Sequence, residues 1–229
     1  MRILTEEQGT EMWEVARKGR LTASAIGKIL AGKGTKTRHN YIMDLVLDLE
    51  GIQDFRDSGS WFLEGRRYEG HARGWYQWER DIKVQETGFV LHDEYNWIGC
   101  SPDGFVEDDG NIEIKYRKTL QTFDQSIVKN IPRLYQCQVQ TQMWLCEKHW
   151  TDYINYWRDD ITGKEQGHIR RIERDEAWIK EIENAAFLFW QAVLEKYRER
   201  NGNKQFSYPW DVLQRLKGKY DENALPYNR

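Results

Sequence analysis

Apolar residues recur at helical spacing in several stretches of the chain, and between them lie short runs that alternate or are β-branched. The pattern over residues 7–18 predicts a first helix, and Thr22-Ala23-Ser24 has the make-up of a helix start leading into residues 25–30. Residues 31–37, rich in glycine and lysine, read as a mobile loop. Ile42, Leu45, Val46 and Leu49 share one helical face that ends at Gly51, and residues 60–80 read as another helix. Strands are expected over residues 83–91, at Gly104-Phe105-Val106, around Ile112-Glu113-Ile114-Lys115, and over residues 153–157 and 168–172. A helix is placed between Pro132 and about Glu147. Trp178, Ile182, Ala185, Phe189 and Val193 mark a long amphipathic helix. Residues 201–229 show no clear period, and Tyr208-Pro209-Trp210 is the segment expected to dock them. Helices, a run of strands, an inserted helix, two more strands and a helix together predict a mixed α/β or α+β core wrapped by helices.

Composition narrows the class. A chain of 229 residues can bury one substantial core. Hydrophobic residues at 39% against 31% charged describe a polar globular protein, and there is no apolar run near the ~20 residues a bilayer crossing needs. The first residues, Met1-Arg2-Ile3-Leu4, lack the apolar stretch of a signal peptide. Three cysteines without metal-binding spacing read as reduced cytoplasmic thiols. Eleven Trp and twelve Tyr exceed what a core of this size needs and leave rings for interfaces or stacking.

The net charge of -3 argues against general nucleic-acid binding, but charge is unevenly spread. Residues 15–43 hold no Asp or Glu, while Arg17, Lys18, Arg20, Lys28, Lys33, Lys36 and Arg38 all fall there. Such a stretch suits a protein that holds a polyanion in one place, and equally suits a solvated charge run.

Candidate chemistry sits in two short segments. Gly99-Cys100-Ser101-Pro102-Asp103-Gly104 is followed, after nine residues beyond Asp103 (104–112), by Glu113-x-Lys115. On a strand, Glu113 and Lys115 point to one face while Ile112 and Ile114 point to the other. Asp103 begins the preceding strand, and Asp108-Asp109-Gly110-Asn111 supplies a turn, so a hairpin sets Asp103 near Glu113. Two carboxylates beside a lysine can grip a divalent metal and handle an attacking water. An ordinary hairpin with a solvated polar face has the same spacing.

Other blocks resolve that choice. Trp13-x3-Arg17-x4-Thr22-Ala23-Ser24, Gly65-x2-Tyr68-Glu69, Cys100-Ser101-Pro102-Asp103-Gly104, Glu113-x-Lys115 and Tyr135-x2-Gln138-Val139-Gln140-x2-Met143-Trp144 occur in that order. In these blocks the chain resembles the lambda exonuclease and YqaJ-type viral recombinase family of the PD-(D/E)xK nuclease superfamily. It departs at Tyr116-Arg117, where the family more often has Cys-Pro, and in a shorter, more basic loop in the thirties.

The resemblance implies a restriction-endonuclease-like core, a central mixed β-sheet flanked by helices. It implies one nuclease domain over residues 1–229, with its motifs in about 13–175 and a C-terminal helix and tail over 174–229. The activity it implies is a metal-dependent 5′→3′ exonuclease that degrades one strand of linear duplex DNA and leaves a 3′ overhang. The implied setting is phage-type recombination in a bacterial cytoplasm, with a ring of three subunits and a single-strand annealing protein as partner. A structure- or sequence-specific endonuclease would use the same hairpin, and a catalytically silent DNA-binding scaffold would have no need to keep Asp103, Glu113 and Lys115 together.

Beside that resemblance each candidate residue has a role and a plainer alternative. Asp103, Glu113 and the Ile114 carbonyl would hold Mg²⁺ or Mn²⁺, as oxygen donors prefer, and Asp103 would bridge to a second ion. Lys115 would act as base or as charge stabiliser, against a strand-surface lysine paired with Glu113. Glu69 would be a third acidic residue reached through water, or would pair with Arg66 and Arg73 on its helix. Tyr135 and Gln138, on a polar stripe with Gln142, would contact the metal site or phosphate, or merely form the wet side of a helix. Arg17, Thr22 and Ser24 would bind a terminal 5′-phosphate, or cap a helix beside a solvated arginine. Phe62, or its neighbours Trp61 and Leu63, would be a wedge that parts the last base pair, or a core aromatic.

Overall fold

Ile112 and Ile114 pack into one apolar cluster with Tyr68, Ala72, Tyr76, Ile154 and Tyr156, while Glu113, between them, faces the other way. The computed structural model describes the backbone of residues 1–51 and 60–216 and most of their side chains. The wedge assigned to Phe62, Trp61 or Leu63 falls outside the side chains described. In chain order the elements begin with β1 (Arg2–Ile3), α1 (Glu11–Arg17), β2 (Leu21–Thr22), a 3-10 turn (Ala23–Ala25), α2 (Ile26–Leu30), α3 (Lys36–Leu49) and α4 (Ser60–Arg80). There follow β3 (Val84–Gln85), β4 (Val90–Leu91), β5 (Ile98–Cys100), β6 (Gly104–Val106) and β7 (Gly110–Tyr116). The rest are α5 (Leu120–Val128), α6 (Arg133–Cys146), β8 (Trp150–Arg158), β9 (Glu165–Glu173), α7 (Glu176–Asn201) and α8 (Pro209–Leu216).

The strands form two mixed sheets flanked by helices, the mixed α/β core that the sequence pattern predicts. The larger runs β3-β6-β7-β8-β9, with β7 and β8 parallel and the other neighbours antiparallel. Its central strand β7 is buried on both faces, as a parallel pair requires. One face lies under α4, and α6 covers the other through Gln138 and Gln142. The smaller sheet, β1-β4-β5-β2, presents Leu21, Val90, Ile98 and Cys100 to the main core, where α3 and α7 add Leu45, Val46, Ile182, Phe189 and Val193. Trp97 and Trp190 stack there with centroids 5.6 Å apart. No helix among the described residues is long and apolar enough to cross a membrane, and all three cysteines are buried free thiols.

Several boundaries differ from the sequence pattern. The first helix starts at Glu11, because Gly9 takes a φ of 78° and Thr10 caps the helix by accepting from the Trp13 N–H. The single strand expected over 83–91 is two strands in different sheets. They part at Gly88, where a Cβ would stand 2.1 Å from the Leu4 carbonyl oxygen. Asp103 precedes β6 instead of starting it, and β7 begins at Gly110, so the turn lies earlier, with Glu107 at a φ of 50°. Among the strands and helices with no counterpart in the sequence pattern are β5, α5 and α8.

The basic stretch is not a continuous surface. Arg20 is 1% exposed; its Nη1 donates to the Ala16 carbonyl at 2.8 Å, its Nε to Asn96 at 2.9 Å and its Nη2 to Asp211 at 3.2 Å. Its guanidinium also lies 4.0 Å from the Tyr208 ring centroid, so a buried arginine docks the C-terminal segment onto α1. Arg38 is buried as well, donating to the Ile29 carbonyl beneath the Phe189 ring. Both charges are structural.

Candidate active site

The register of the β6–β7 hairpin builds the centre. Gly104 pairs with Ile112, so the Asp103 N–H donates to the Ile112 carbonyl at 3.1 Å, and Asp103 Oδ2 accepts from the Ile114 N–H at 2.6 Å. Three further contacts pin the stretch before the hairpin. Arg73 Nη1 on α4 donates to the Asp103 carbonyl at 2.6 Å, Gln8 to the Pro102 carbonyl at 2.8 Å, and Trp13 Nε1 to Ser101 Oγ at 2.9 Å. Trp13 and Ser101, both in family-like blocks, are thus direct partners across 88 residues.

Glu113 is 3% exposed, and both its oxygens accept hydrogen bonds. Its Oε1 accepts from Lys115 Nζ at 2.5 Å and from Gln138 Nε2 at 2.8 Å, and its Oε2 from Gln142 Nε2 at 2.7 Å. Gln138 and Gln142 are one turn apart on α6, so both amides reach the same carboxylate. The polar stripe of α6 is therefore its inward side at these positions, against the wet-face alternative. Gln142 lies in the same stripe, at a position of the block that no motif residue marks. Lys115 Nζ also lies 4.7 Å from the Tyr135 ring centroid, within cation–π range.

Electrostatics follow from crowding. Burial, then the charges of Glu113 and Glu69, push the Asp103 carboxyl well above the usual range, against smaller opposing effects from Lys115 and the Ile114 N–H. Burial alone would lower the Lys115 pKa, but Glu113 and Asp103 together hold it above its ordinary value, so its ammonium persists. A pair of crowded carboxylates with one ammonium has room for more positive charge. The hard oxygen donors of Asp103 and Glu113 fit a divalent Mg²⁺ or Mn²⁺. Among the described residues no three His, Cys, Asp or Glu side chains converge into a metal cage; Glu69 lines the same cavity, and its charge contributes to raising the Asp103 pKa.

Arg17, Thr22 and Ser24 line the same cavity of about 590 Å³ as Glu69, Asp103, Glu113, Lys115, Tyr135 and Gln138. The Arg17 guanidinium lies 4.2 Å from the Trp13 ring centroid, with Glu14 at 3.8 Å, and burial lowers its pKa. The Thr22 and Ser24 hydroxyls are 3.2 Å apart, and Thr22 makes no capping bond to the 3-10 turn that follows. Its hydroxyl is therefore not consumed as a helix cap. Every sequence-selected site residue with a described side chain borders this one cavity. Arg117 and Lys118 do so too, with no role assigned from sequence.

The family model of the YqaJ-like viral recombinase domain matches residues 12–165. The solved alkaline exonuclease of Laribacter hongkongensis is 32% identical with a TM-score of 0.71, the match covering 92% of this chain and 99% of that one. A second structure of that enzyme, in complex with dAMP, aligns at 31% identity and a TM-score of 0.70. A phage-related exonuclease from Haemophilus somnus shares the fold at 16% identity and a TM-score of 0.58, over 77% of this chain and 96% of that one. An uncharacterised protein of Acanthamoeba polyphaga mimivirus is 24% identical over 172 residues, which are 69% of this chain but only 31% of that longer protein.

Proposed function

The chain belongs to the YqaJ-like viral recombinase family, and on that premise we propose a metal-dependent nuclease of the lambda exonuclease type that degrades one strand of linear duplex DNA from its 5′ end. The observation that carries this reading is the shared cavity, which is lined both by Asp103, Glu113 and Lys115 and by Arg17, Thr22 and Ser24. When bound, one or two Mg²⁺ or Mn²⁺ ions at Asp103, Glu113 and the Ile114 carbonyl would polarise the scissile phosphate and lower the pKa of a water.

The chain's own groups divide the remaining work. Gln138 and Gln142 hold the Glu113 carboxylate in one orientation, the Ile114 N–H does the same for the Asp103 carboxylate, and Arg73 fixes the Asp103 main chain through its carbonyl. Lys115 presents an ammonium beside Glu113, placed to orient the water or to stabilise charge on the phosphate. Tyr135 packs against that ammonium and limits its freedom. Glu69 acts through water at the border of the centre. Arg17 grips a terminal 5′-phosphate as a charge-assisted donor, helped by the Thr22 and Ser24 hydroxyls.

Digestion of linear against closed circular duplex in Mg²⁺ tests the reading, since an exonuclease leaves the circle intact and an endonuclease opens it. Arg17→Ala should narrow the preference for 5′-phosphorylated over 5′-hydroxyl ends. The lost contact is worth about 1.5–3 kcal/mol and belongs mainly to the phosphate. Equal loss on both ends would assign Arg17 to general backbone binding.

The product, a 3′ overhang, is the substrate a single-strand annealing protein needs, and this reading makes such a protein the partner in recombination. With a net charge of -3, general attraction to DNA cannot hold the enzyme on its track, and a three-subunit ring would do so by enclosure. Sedimentation should then give about three times the 27.5 kDa chain mass; a stable monomer that remains processive under a DNA trap would remove the ring.

A further inference from the structure

Glu113, Lys115 and Arg117 are successive alternate positions, and the ladder runs on past β7 because the Arg117 N–H donates to the Tyr156 carbonyl at 2.7 Å. All three side chains therefore leave the same face of the sheet, and all three line the cavity. Strand β8 fixes the third. Arg117 Nε donates to Asn155 Oδ1 at 2.8 Å, and its Nη2 donates to the same oxygen and, at 3.2 Å, to the Tyr153 hydroxyl. Asn155 and Tyr153 lie opposite Lys115 and Glu113 in the parallel register, so the whole group shares one surface.

Both of these partners are neutral. Burial pushes the Tyr153 hydroxyl up to about 12, so it stays protonated at any working pH. Lys115 is matched by Glu113, and Arg17 has Glu14 nearby, whereas no carboxylate among the described residues pairs with Arg117. The guanidinium is thus oriented by bonds to neutral groups, without a compensating carboxylate among the described residues, and Nη1 takes part in none of those bonds. A fixed, planar cation of this kind matches a phosphate oxygen.

Resting on the nuclease reading, we propose that Arg117 is a backbone-phosphate contact for the DNA strand, engaging the phosphodiester next to the one at Lys115. Two residues of strand span roughly 6.7 Å, which is close to the step between successive phosphates of one DNA strand. The site takes any nucleotide, because a phosphate contact carries no base information. It also gives a use to the position where this chain has Tyr116-Arg117 in place of the family's more frequent Cys-Pro.

The test is fluorescence anisotropy of a 5′-phosphorylated duplex bound to the full chain, with Ca²⁺ replacing Mg²⁺, over a range of salt. Arg117→Gln should weaken binding about 10-fold on every sequence and lower the salt slope by about 1. Arg117→Lys should recover the slope and only part of the affinity, because lysine keeps the charge but lacks the fork. In Mg²⁺ the loss should fall on KM with kcat held. An unchanged salt slope in a folded Arg117→Gln protein would overturn the proposal and leave Arg117 as a tie between β7 and β8, and so would a loss confined to kcat. The two readings separate cleanly. A reduced slope in a chain that cleaves nothing supports the contact and removes the nuclease, while normal cleavage with an unchanged slope does the reverse.

Discussion

Asp103→Asn should lose hydrolysis of linear duplex in Mg²⁺ by about 10³-fold or more, while the metal-free variant melts above the wild-type chain. The two effects share one cause. Asp103, half-buried, lies close enough to the buried Glu113 that desolvation and the Glu113 charge raise the Asp103 pKa. That carboxyl is easier to ionise in the unfolded chain than in the folded one. Its contribution to stability is fully present below the unfolded pKa and is lost as pH rises through the higher folded value. At neutral pH the metal-free wild type therefore carries a penalty that asparagine, neutral throughout, does not. Asparagine keeps an oxygen to accept from the Ile114 N–H, so the hairpin geometry survives. Each kcal/mol recovered moves the midpoint by about 2–4 °C in a chain of this size. Activity falls because a metal held by Asp103 supplies several kcal/mol of charge stabilisation, and about 4 kcal/mol is a 10³-fold change in rate. Calorimetric melting with and without Mg²⁺ completes the check: added metal should stabilise the wild type by mass action and leave the variant unmoved. Near wild-type digestion by Asp103→Asn would sink the metal-centre reading.

The hairpin was legible because what specifies it is local. Alternation puts Glu113 and Lys115 on one face, turn residues close the strands, and Asp103 falls opposite within the register error of one residue. The structure adds the partner of that face. Whether Gln138 and Gln142 are wet or buried depends on what α6 packs against, and nothing within α6 itself decides it. The motif resemblance favoured the inward reading for Gln138. Gln142 needed the fold, because only the position of β7 shows that one carboxylate can accept from both amides.

Charge read from sequence failed where the partner is remote. Arg20 looked like part of a basic surface, and its carboxylate is Asp211, 191 residues away in a segment with no visible period. The same remoteness hid the smaller sheet. β1 and β2 are two residues each, too short to show alternation, and β2 finds its partner β5 more than seventy residues later through a parallel pairing. Long elements with one buried stripe, such as α7, were readable throughout, since the stripe at Ile182, Phe189 and Val193 repeats over many turns.

Lys115→Met is expected to cut the single-turnover rate by about 10²–10⁴ at saturating DNA, with metal and DNA affinity kept. Methionine fills the space beside Tyr135 but supplies no charge and no donor. Removing the ammonium leaves Glu113 with its two glutamine bonds, so the carboxylate stays oriented and more negative, and metal binding should hold or tighten. A defect in the chemical step with intact ground-state binding is the mark of a group used in the transition state. Lys115→Arg then separates the two roles. The ammonium of Lys115 is held charged between Glu113 and Asp103. If that charge serves to stabilise the phosphate, arginine restores part of the rate. If a neutral amine must take a proton, arginine, which does not deprotonate, restores none. The geometry favours partial rescue, because a lysine bonded to Glu113 is poorly prepared to be a base. A loss in either variant that appears only as weaker DNA binding would move Lys115 out of the chemistry and into the phosphate contacts beside Arg117.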